Sequence, residues 1–210
     1  MLYRFKARFQ KLAQRFAQRG MTANQASLAG TICVALSLLC LGLGRKASWL
    51  LWIHPLILLA RFVFNALDGL LARQQNTASA AGEIFNELSD VGGDTLTFLA
   101  FYFLFPQSQL LVVGLLISIW FCEFVAVLGK SLPGGLRRQE SVGGGKPERA
   151  VWLGLFSLAW AAWPEASEHS VPGFLGLLTL LVLLSGLRRI QAALRAARGQ
   201  HYTSQTQYGQ

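Results

Sequence analysis

The sequence predicts an all-α polytopic integral membrane protein, with six transmembrane helices preceded by an amphipathic surface helix. Of its 210 residues 53% are hydrophobic and only 14% are charged, a balance rarely met in a soluble domain of this size. The apolar residues gather into stretches close to the roughly 20 residues that cross a bilayer core of about 30 Å. The basic residues, in turn, crowd into alternate connections between those stretches, as the positive-inside bias requires.

Residues 1–20 form the surface element. Phe5, Leu12 and Phe16 can share one side of a helix, while Arg4, Lys6, Arg8, Lys11, Arg15 and Arg19 surround it with positive charge. Such a helix lies along an anionic membrane face rather than crossing it; a basic helix packed on the protein's own rim is the other reading. The membrane domain spans residues 21–190. Its six apolar stretches run at about 25–44, 48–72, 83–105, 109–129, 150–164 and 172–190. The fifth is short, which calls for tilt or shielding. Residues 191–210 read as a polar, basic, partly disordered tail. No cleavable signal peptide is expected, because the first apolar run starts late and lacks a small-residue cleavage site.

Orientation follows from the 19 Lys and Arg residues. They concentrate in the N-terminal helix, at Arg73, between the fourth and fifth spans, and in the tail; the opposite connections hold only Arg45 and Lys46. Both termini and the second-to-third connection therefore face the cytoplasm. The net charge of +9 is read as topology and attraction to anionic lipid, since a nucleic-acid module needs a soluble basic surface with exposed aromatics, and none is visible. Cys33, Cys40 and Cys122 lie in apolar runs without metal or disulfide spacing. His54, His169 and His201 form no pair with ligand spacing and read as incidental. Trp49, Trp52, Trp160 and Trp163 fall near outer boundaries, as interfacial anchors do.

The informative segment is Asn65–Asp94, which sets acidic and amide side chains at helical spacing inside apolar flanks. Carboxylates are too costly in hydrocarbon to persist there without a partner. By the three-and-four rule, Arg61, Asn65, Asp68 and Ala72 share one stripe, and Gly82, Asn86, Asp90 and Asp94 share another. Antiparallel packing of the second and third spans then sets Asn65 and Asp68 opposite Asn86 and Asp90. A divalent cation shared by Asp68 and Asp90, with Asn65 and Asn86 as weaker oxygen ligands, accounts for the pattern and points to chemistry on a phosphate ester. Gly69 and Gly82 leave room for a ligand or another backbone.

These residues resemble a known signature. Asp68-Gly69, Ala72-Arg73, a spacer of eight residues, then Gly82, Asn86 and Asp90 is similar to the motif of the CDP-alcohol phosphotransferases (CDP-alcohol phosphatidyltransferases), integral membrane enzymes of phospholipid synthesis. The family's pattern is Asp-x-x-Asp-Gly-x-x-Ala-Arg, a similar spacer, and Gly-x-x-x-Asp-x-x-x-Asp. The resemblance covers residues 1–190 and implies transfer of a phosphatidyl group from CDP-diacylglycerol to a polar alcohol, with release of CMP and dependence on Mg²⁺ or Mn²⁺. It implies Asp68 as a metal ligand, with Asn65 and Asn86 as weaker ones. Asp90 becomes the general base for the acceptor hydroxyl and, beside a metal, also a candidate ligand. Gly69, Ala72, Arg73 and Gly82 would line the nucleotide, with Asn24 near the donor. A homodimer in the bacterial inner membrane, its active site facing the cytoplasm, is implied as well.

The family's first and third aspartates are here Asn65 and Asn86, so two formal negative charges are missing. Amide oxygens still bind hard cations, though more weakly, which favours one metal over two; Glu87 and Asp94 lie close enough in sequence to restore charge. Arg61 and Asp94, outside the signature, are expected to form a buried ion pair. Glu123 is either functional or satisfied inside the bundle. In the run Gly143–Arg149, Lys146 and Arg149 are candidates to hold donor or acceptor phosphates, and a merely basic cytoplasmic loop is the alternative. Glycerol 3-phosphate is the first acceptor suggested by this basic segment. The rival to an enzyme is a catalytically degenerate homologue that binds lipid or a partner protein; an ion-coupled transporter is disfavoured because no inverted repeat appears.

Overall fold

The computed structural model describes residue 10 and residues 12–131 and 141–207, with side chains described as far as residue 197. The expected surface residues Phe5, Arg4, Lys6, Arg8 and Lys11, and Arg137 and Arg138, lie outside the described residues. Among those described, the regular structure is helical: α1 (Ala23–Leu43), α2 (Trp49–Gln74), α3 (Ala80–Leu104), a 3-10 turn (Pro106–Ser108), α4 (Gln109–Ser131), α5 (Lys146–Ala162) and α6 (Pro164–Gln207). Among the described residues, four segments are long and apolar enough to cross a membrane, Ala23–Leu43, Trp49–Gln74, Pro106–Ser131 and Pro164–Ala197. The acidic residues of α3 and the 17-residue length of α5 set those two helices apart. On α1, Leu28, Ile32, Leu36, Leu39 and Leu43 are all exposed, an apolar stripe that only a lipid or protein neighbour would favour.

The chain divides into two compact units. The first comprises residues 1–100 and 153–164, the second residues 101–152 and 165–210. In the first unit, residues 12–18 are helical and end in a glycine turn. Gly20 is left-handed (φ +80°), and the Gly20 and Met21 amides donate back to the Ala17 and Phe16 carbonyls at 2.9 and 3.0 Å, closing the orphan carbonyls as a Schellman cap does. Leu12 and Phe16 pack against a cluster of Ala13, Ala26, Leu67 and Leu71, a contact on the protein's own rim. This part of the element is thus anchored on α1 and α2, because that contact removes its apolar face from solvent.

Thr22 starts α1 with a reciprocal capping box. Its hydroxyl accepts from the Gln25 amide at 3.2 Å, and its own amide donates to Gln25 Oε1 at 3.0 Å. The turn after α2 uses Asn76 in the left-handed region (φ 54°), and Gln75 Nε2 donates to the Met21 carbonyl at 2.8 Å, tying the connection to the entry of α1. Ser79 then opens α3, its Oγ accepting from the Gly82 amide at 3.1 Å.

Histidine 54, which has no evident role in the sequence, is completely buried. Its Nε2 lies 2.6 Å from Ser37 Oγ on α1 and its Nδ1 lies 2.7 Å from Ser157 Oγ on α5. Ser157 spends its proton on the Leu153 carbonyl at 2.9 Å, so it accepts from Nδ1–H, and Ser37 donates to Nε2. The chain of hydroxyl, imidazole and hydroxyl joins three helices in an apolar interior, where unpaired polar groups are expensive.

The second unit has an aromatic interior, with the Phe101 ring tilted against Phe105 at 5.4 Å and Phe174 at 6.2 Å between ring centroids. Its α6 departs from the expected sixth span at both ends. It begins at Pro164, tolerates Pro172, and continues through residues expected to be an irregular tail. The run Gln191-Ala-Ala-Leu-Arg-Ala-Ala-Arg198 consists of strong helix formers, so nothing in it stops propagation.

His54→Ala is expected to lower stability in detergent by about 2–4 kcal/mol, since it opens a cavity and leaves both serine hydroxyls without their partner. A thermal-unfolding comparison with wild type checks this, with Ser37→Ala and Ser157→Ala each expected to cost less.

Candidate functional site: an acidic and amide pocket on α1, α2 and α3

Near its C-terminal end α2 presents Asn65 and Asp68, and α3 answers with Asn86 and Asp90. The short connection of residues 75–79 makes the two helices antiparallel neighbours, which turns the two sequence stripes toward each other. Asn65 Nδ2 donates to Asp90 Oδ1. Asp68 is almost fully buried; it accepts from Ser27 Oγ of α1 at 3.1 Å and from the amide of Gly69. A pocket of about 370 Å³ opens between these helices, lined on its polar side by Ser27, Asn65, Asp68, Asn86, Ser89 and Arg61 and on its apolar side by Val34, Leu38, Phe85 and Leu96. Ser27 is a contributor that the sequence did not mark, because a serine in an apolar span carries no signal until its neighbour is known.

The expected ion pair is present. Arg61 Nη1 sits 2.8 Å from Asp94 Oδ1, and Arg61 Nη2 donates to the Asp90 carbonyl at 3.0 Å. Gly93 makes room for it, since a Cβ there would fall 2.5 Å from Arg61 Nη2. Arg61 therefore grips α3 at two positions one turn apart, and the pairing spares a buried charge its desolvation cost.

The other sequence candidates are dispersed. Gly69, Arg73, Gly82 and Asn24 are exposed, and Ala72 is half-buried; none lines the pocket. A Cβ on Gly69 would meet no atom within 4 Å, so no protein neighbour demands glycine there. Among the described residues, no group of three or more His, Cys, Asp or Glu side chains is placed to hold a metal. The physical reason is the amides at 65 and 86. What the pocket offers is an all-oxygen donor set built on Asp68, supplemented by Asn86 and Ser27 and bordered by Asp90. That set fits a hard divalent cation such as Mg²⁺ or Mn²⁺ and is unsuited to a thiophilic one.

In the second unit, Lys146 and Arg149 surround Glu123. Glu123 is 3% exposed, and its carboxylate lies 3.1 Å from Arg149, 3.5 Å from Arg189 and 3.9 Å from Lys146. Arg149 also donates to the Gly144 carbonyl at 2.9 Å, and Arg189 to the Cys122 carbonyl at 2.9 Å. Glu123 Oε1 is thus paired inside the bundle, while Oε2 accepts no hydrogen bond among the described residues and has Lys146 Nζ at 3.9 Å. The glycine run is not a loose loop. The Val142 and Gly144 amides donate to Ser185 Oγ at 2.9 and 3.2 Å, and the Gly143 and Gly145 amides to Ser141 Oγ at 3.3 and 2.9 Å. Gly144 lies directly against the α6 backbone at Leu181 and Val182, an approach that any side chain would block.

The fold and pocket define a class: a helical membrane protein whose second and third helices present carboxylate and carboxamide groups beside a partly apolar cavity. The chain belongs to the CDP-alcohol phosphatidyltransferase family, whose sequence pattern matches residues 20–184, and so to a group of transferases of phospholipid synthesis. It is 34% identical over 168 residues to the inner membrane protein YnbA of Escherichia coli K12, covering 78% of this chain and 82% of that one. Its fold is similar to phosphatidylinositol phosphate synthase of Mycobacterium tuberculosis in two crystal structures. For the one with CDP-diacylglycerol bound, the TM-score is 0.66 at 18% identity, over 88% of this chain and 92% of that one. For the one in complex with manganese and citrate, the TM-score is 0.66 at 18% identity, over 89% and 88%.

Two expected outcomes follow from these clusters. Arg61→Ala and Asp94→Ala should each destabilise the protein, with the double variant less damaged than the sum by about 1–3 kcal/mol in a thermodynamic cycle. Glu123→Ala, which leaves buried arginines uncompensated, should cost about 3–5 kcal/mol, whereas Lys130→Ala on the exposed end of α4 should be nearly neutral in the same unfolding assay.

Proposed function

We propose that the protein transfers a phosphatidyl group from CDP-diacylglycerol to the hydroxyl of a polar alcohol, releasing CMP, with Mg²⁺ or Mn²⁺ required. The observation that carries this reading is the convergence of Asp68 and Asn86 on one pocket, with Asp90 bonded to Asn65 of its lining, in a chain that belongs to a family of such transferases. Support for the donor comes from the pocket's two-sided lining: its apolar side suits acyl chains that stay in the leaflet, and its polar side suits a diphosphate. The first acceptor to test is glycerol 3-phosphate, on account of the basic segment from Lys130 to Arg149.

In this reading Asp68 holds the metal, with amide oxygens, Asn86 foremost, completing its shell. When bound, the metal neutralises the donor pyrophosphate and eases departure of CMP. Asp90 accepts the proton of the acceptor hydroxyl, whose oxygen attacks the phosphatidyl phosphorus as the bond from that phosphorus to the CMP oxygen breaks. Gly69 and Gly82 admit the nucleotide against bare backbone, Ala72 keeps the surface low, and Arg73 meets phosphate oxygens. Asn24 lies at the entry of α1 toward the donor. All six helices α1 to α6 cross a bacterial inner membrane in this account, with both termini and the pocket mouth at the cytoplasm and two copies forming a homodimer.

The amides at 65 and 86 favour one rival, a family member that binds CDP-lipid without turnover. Purified protein incubated with labelled CDP-diacylglycerol, Mn²⁺ and a panel of alcohols separates the two. CMP release that is lost with chelator and in Asp68→Ala and Asp90→Ala is the expected outcome; binding without release would establish the rival. Gly69→Ala, which the fold accommodates, should raise the donor KM about tenfold or more while leaving thermal stability unchanged, provided that nucleotide packs on that glycine.

A further inference from the structure

We propose that Asn65 is a positioning residue that holds Asp90 through its amide N–H groups, and is not a metal ligand. This rests on the functional reading above for the role of Asp90, and on geometry alone for the role of Asn65. A carboxylate can only accept hydrogen bonds, so the side of the Asn65 carboxamide that faces Asp90 Oδ1 is the NH₂ group. The carboxamide oxygen must then point the other way, and there it abuts Gly30 of α1, where a Cβ would collide with Asn65 Oδ1. Glycine at 30 is thus the counterpart of asparagine at 65. The oxygen that would serve a cation is turned into the α1 wall, and the donor is turned toward the base.

Arg61 completes the arrangement from one turn deeper. Its Nη2 holds the Asp90 main-chain carbonyl at 3.0 Å while its Nη1 is anchored on Asp94 at 2.8 Å. Two residues of α2 therefore fix one residue of α3, Asn65 by its carboxylate and Arg61 by its backbone. An aspartate at position 65 would set like charges face to face at this contact; the amide makes it attractive without any cation. The consequence is a site in which metal affinity rests on Asp68 and the orientation of Asp90 rests on Asn65 and Arg61.

The test titrates Mn²⁺ into the purified full-length protein in detergent, followed by electron paramagnetic resonance, alongside CMP-release kinetics. Asp68→Asn should weaken Mn²⁺ binding about tenfold or more, while Asn65→Ala should leave it within about threefold and lower kcat by about 30-fold or more with little change in donor KM. Arg61→Lys, which keeps the charge beside Asp94 but loses the fork, should behave like Asn65→Ala. Asn65→Asp, nearly isosteric in shape, should lower kcat even at saturating Mn²⁺. The proposal is overturned if Asn65→Ala weakens Mn²⁺ binding as much as Asp68→Asn does, or if Asn65→Asp binds Mn²⁺ more tightly with activity kept or raised. Should wild-type protein release no CMP, the functional reading fails, and the Mn²⁺ titrations alone still decide whether Asn65 is a ligand.

Discussion

A polar side chain inside an apolar helix bundle must find its partner within the protein, and that constraint organises both units. In the first unit the partners are laid out in depth along the α2–α3 contact: Arg61 with Asp94 deepest, Asn65 with Asp90 one turn nearer the connection, and Asp68 with Ser27 nearer still. Apolar packing between membrane helices is only weakly selective for rotation and register, since lipid tails are as apolar as leucine. Directional polar contacts supply the selectivity. The site and the helix register are therefore one feature, and a change in either is felt by the other.

The same constraint separates groups that serve structure from groups available for chemistry. Glu123, Arg149 and Arg189 are buried together, and the glycine run beside them spends its amides on Ser141 and Ser185. A segment that reads as a flexible anion cradle is in fact fastened to α6 at two amides and folded onto Ser141 at two more. His54 likewise spends both ring nitrogens on serines. Around Asp68 the pattern differs: a carboxylate borders an open cavity with an apolar far wall, and Gly69 beside it faces open space. A polar pocket next to an apolar wall suits the lipid donor of the proposed function, headgroup on one side and acyl chains on the other.

Asparagine at two motif positions changes the electrostatics more than the shape. With carboxylates at all four positions, mutual repulsion would demand cations before the helices could close. With an amide at 65, the contact holds by a neutral-to-charged hydrogen bond to Asp90, and Arg61 contributes a fixed positive charge from one turn deeper.

Helix type, the approximate limits of the helices and the identity of the acidic stripe were legible in the sequence, because hydropathy and three-and-four spacing are local properties set by the backbone repeat. The ion pair of Arg61 with Asp94 was legible too, once α2 and α3 were taken as antiparallel neighbours. The length of α6 was obscured because polar composition suggested a tail where strong helix formers continue the helix. Which way a carboxamide turns, which serine meets Asp68 or His54, and whether a glycine run is loose or welded depend on contacts between residues far apart in the chain. Those contacts are fixed by how the helices rotate against one another, and one-dimensional spacing carries no measure of that rotation; only the tertiary structure decided them.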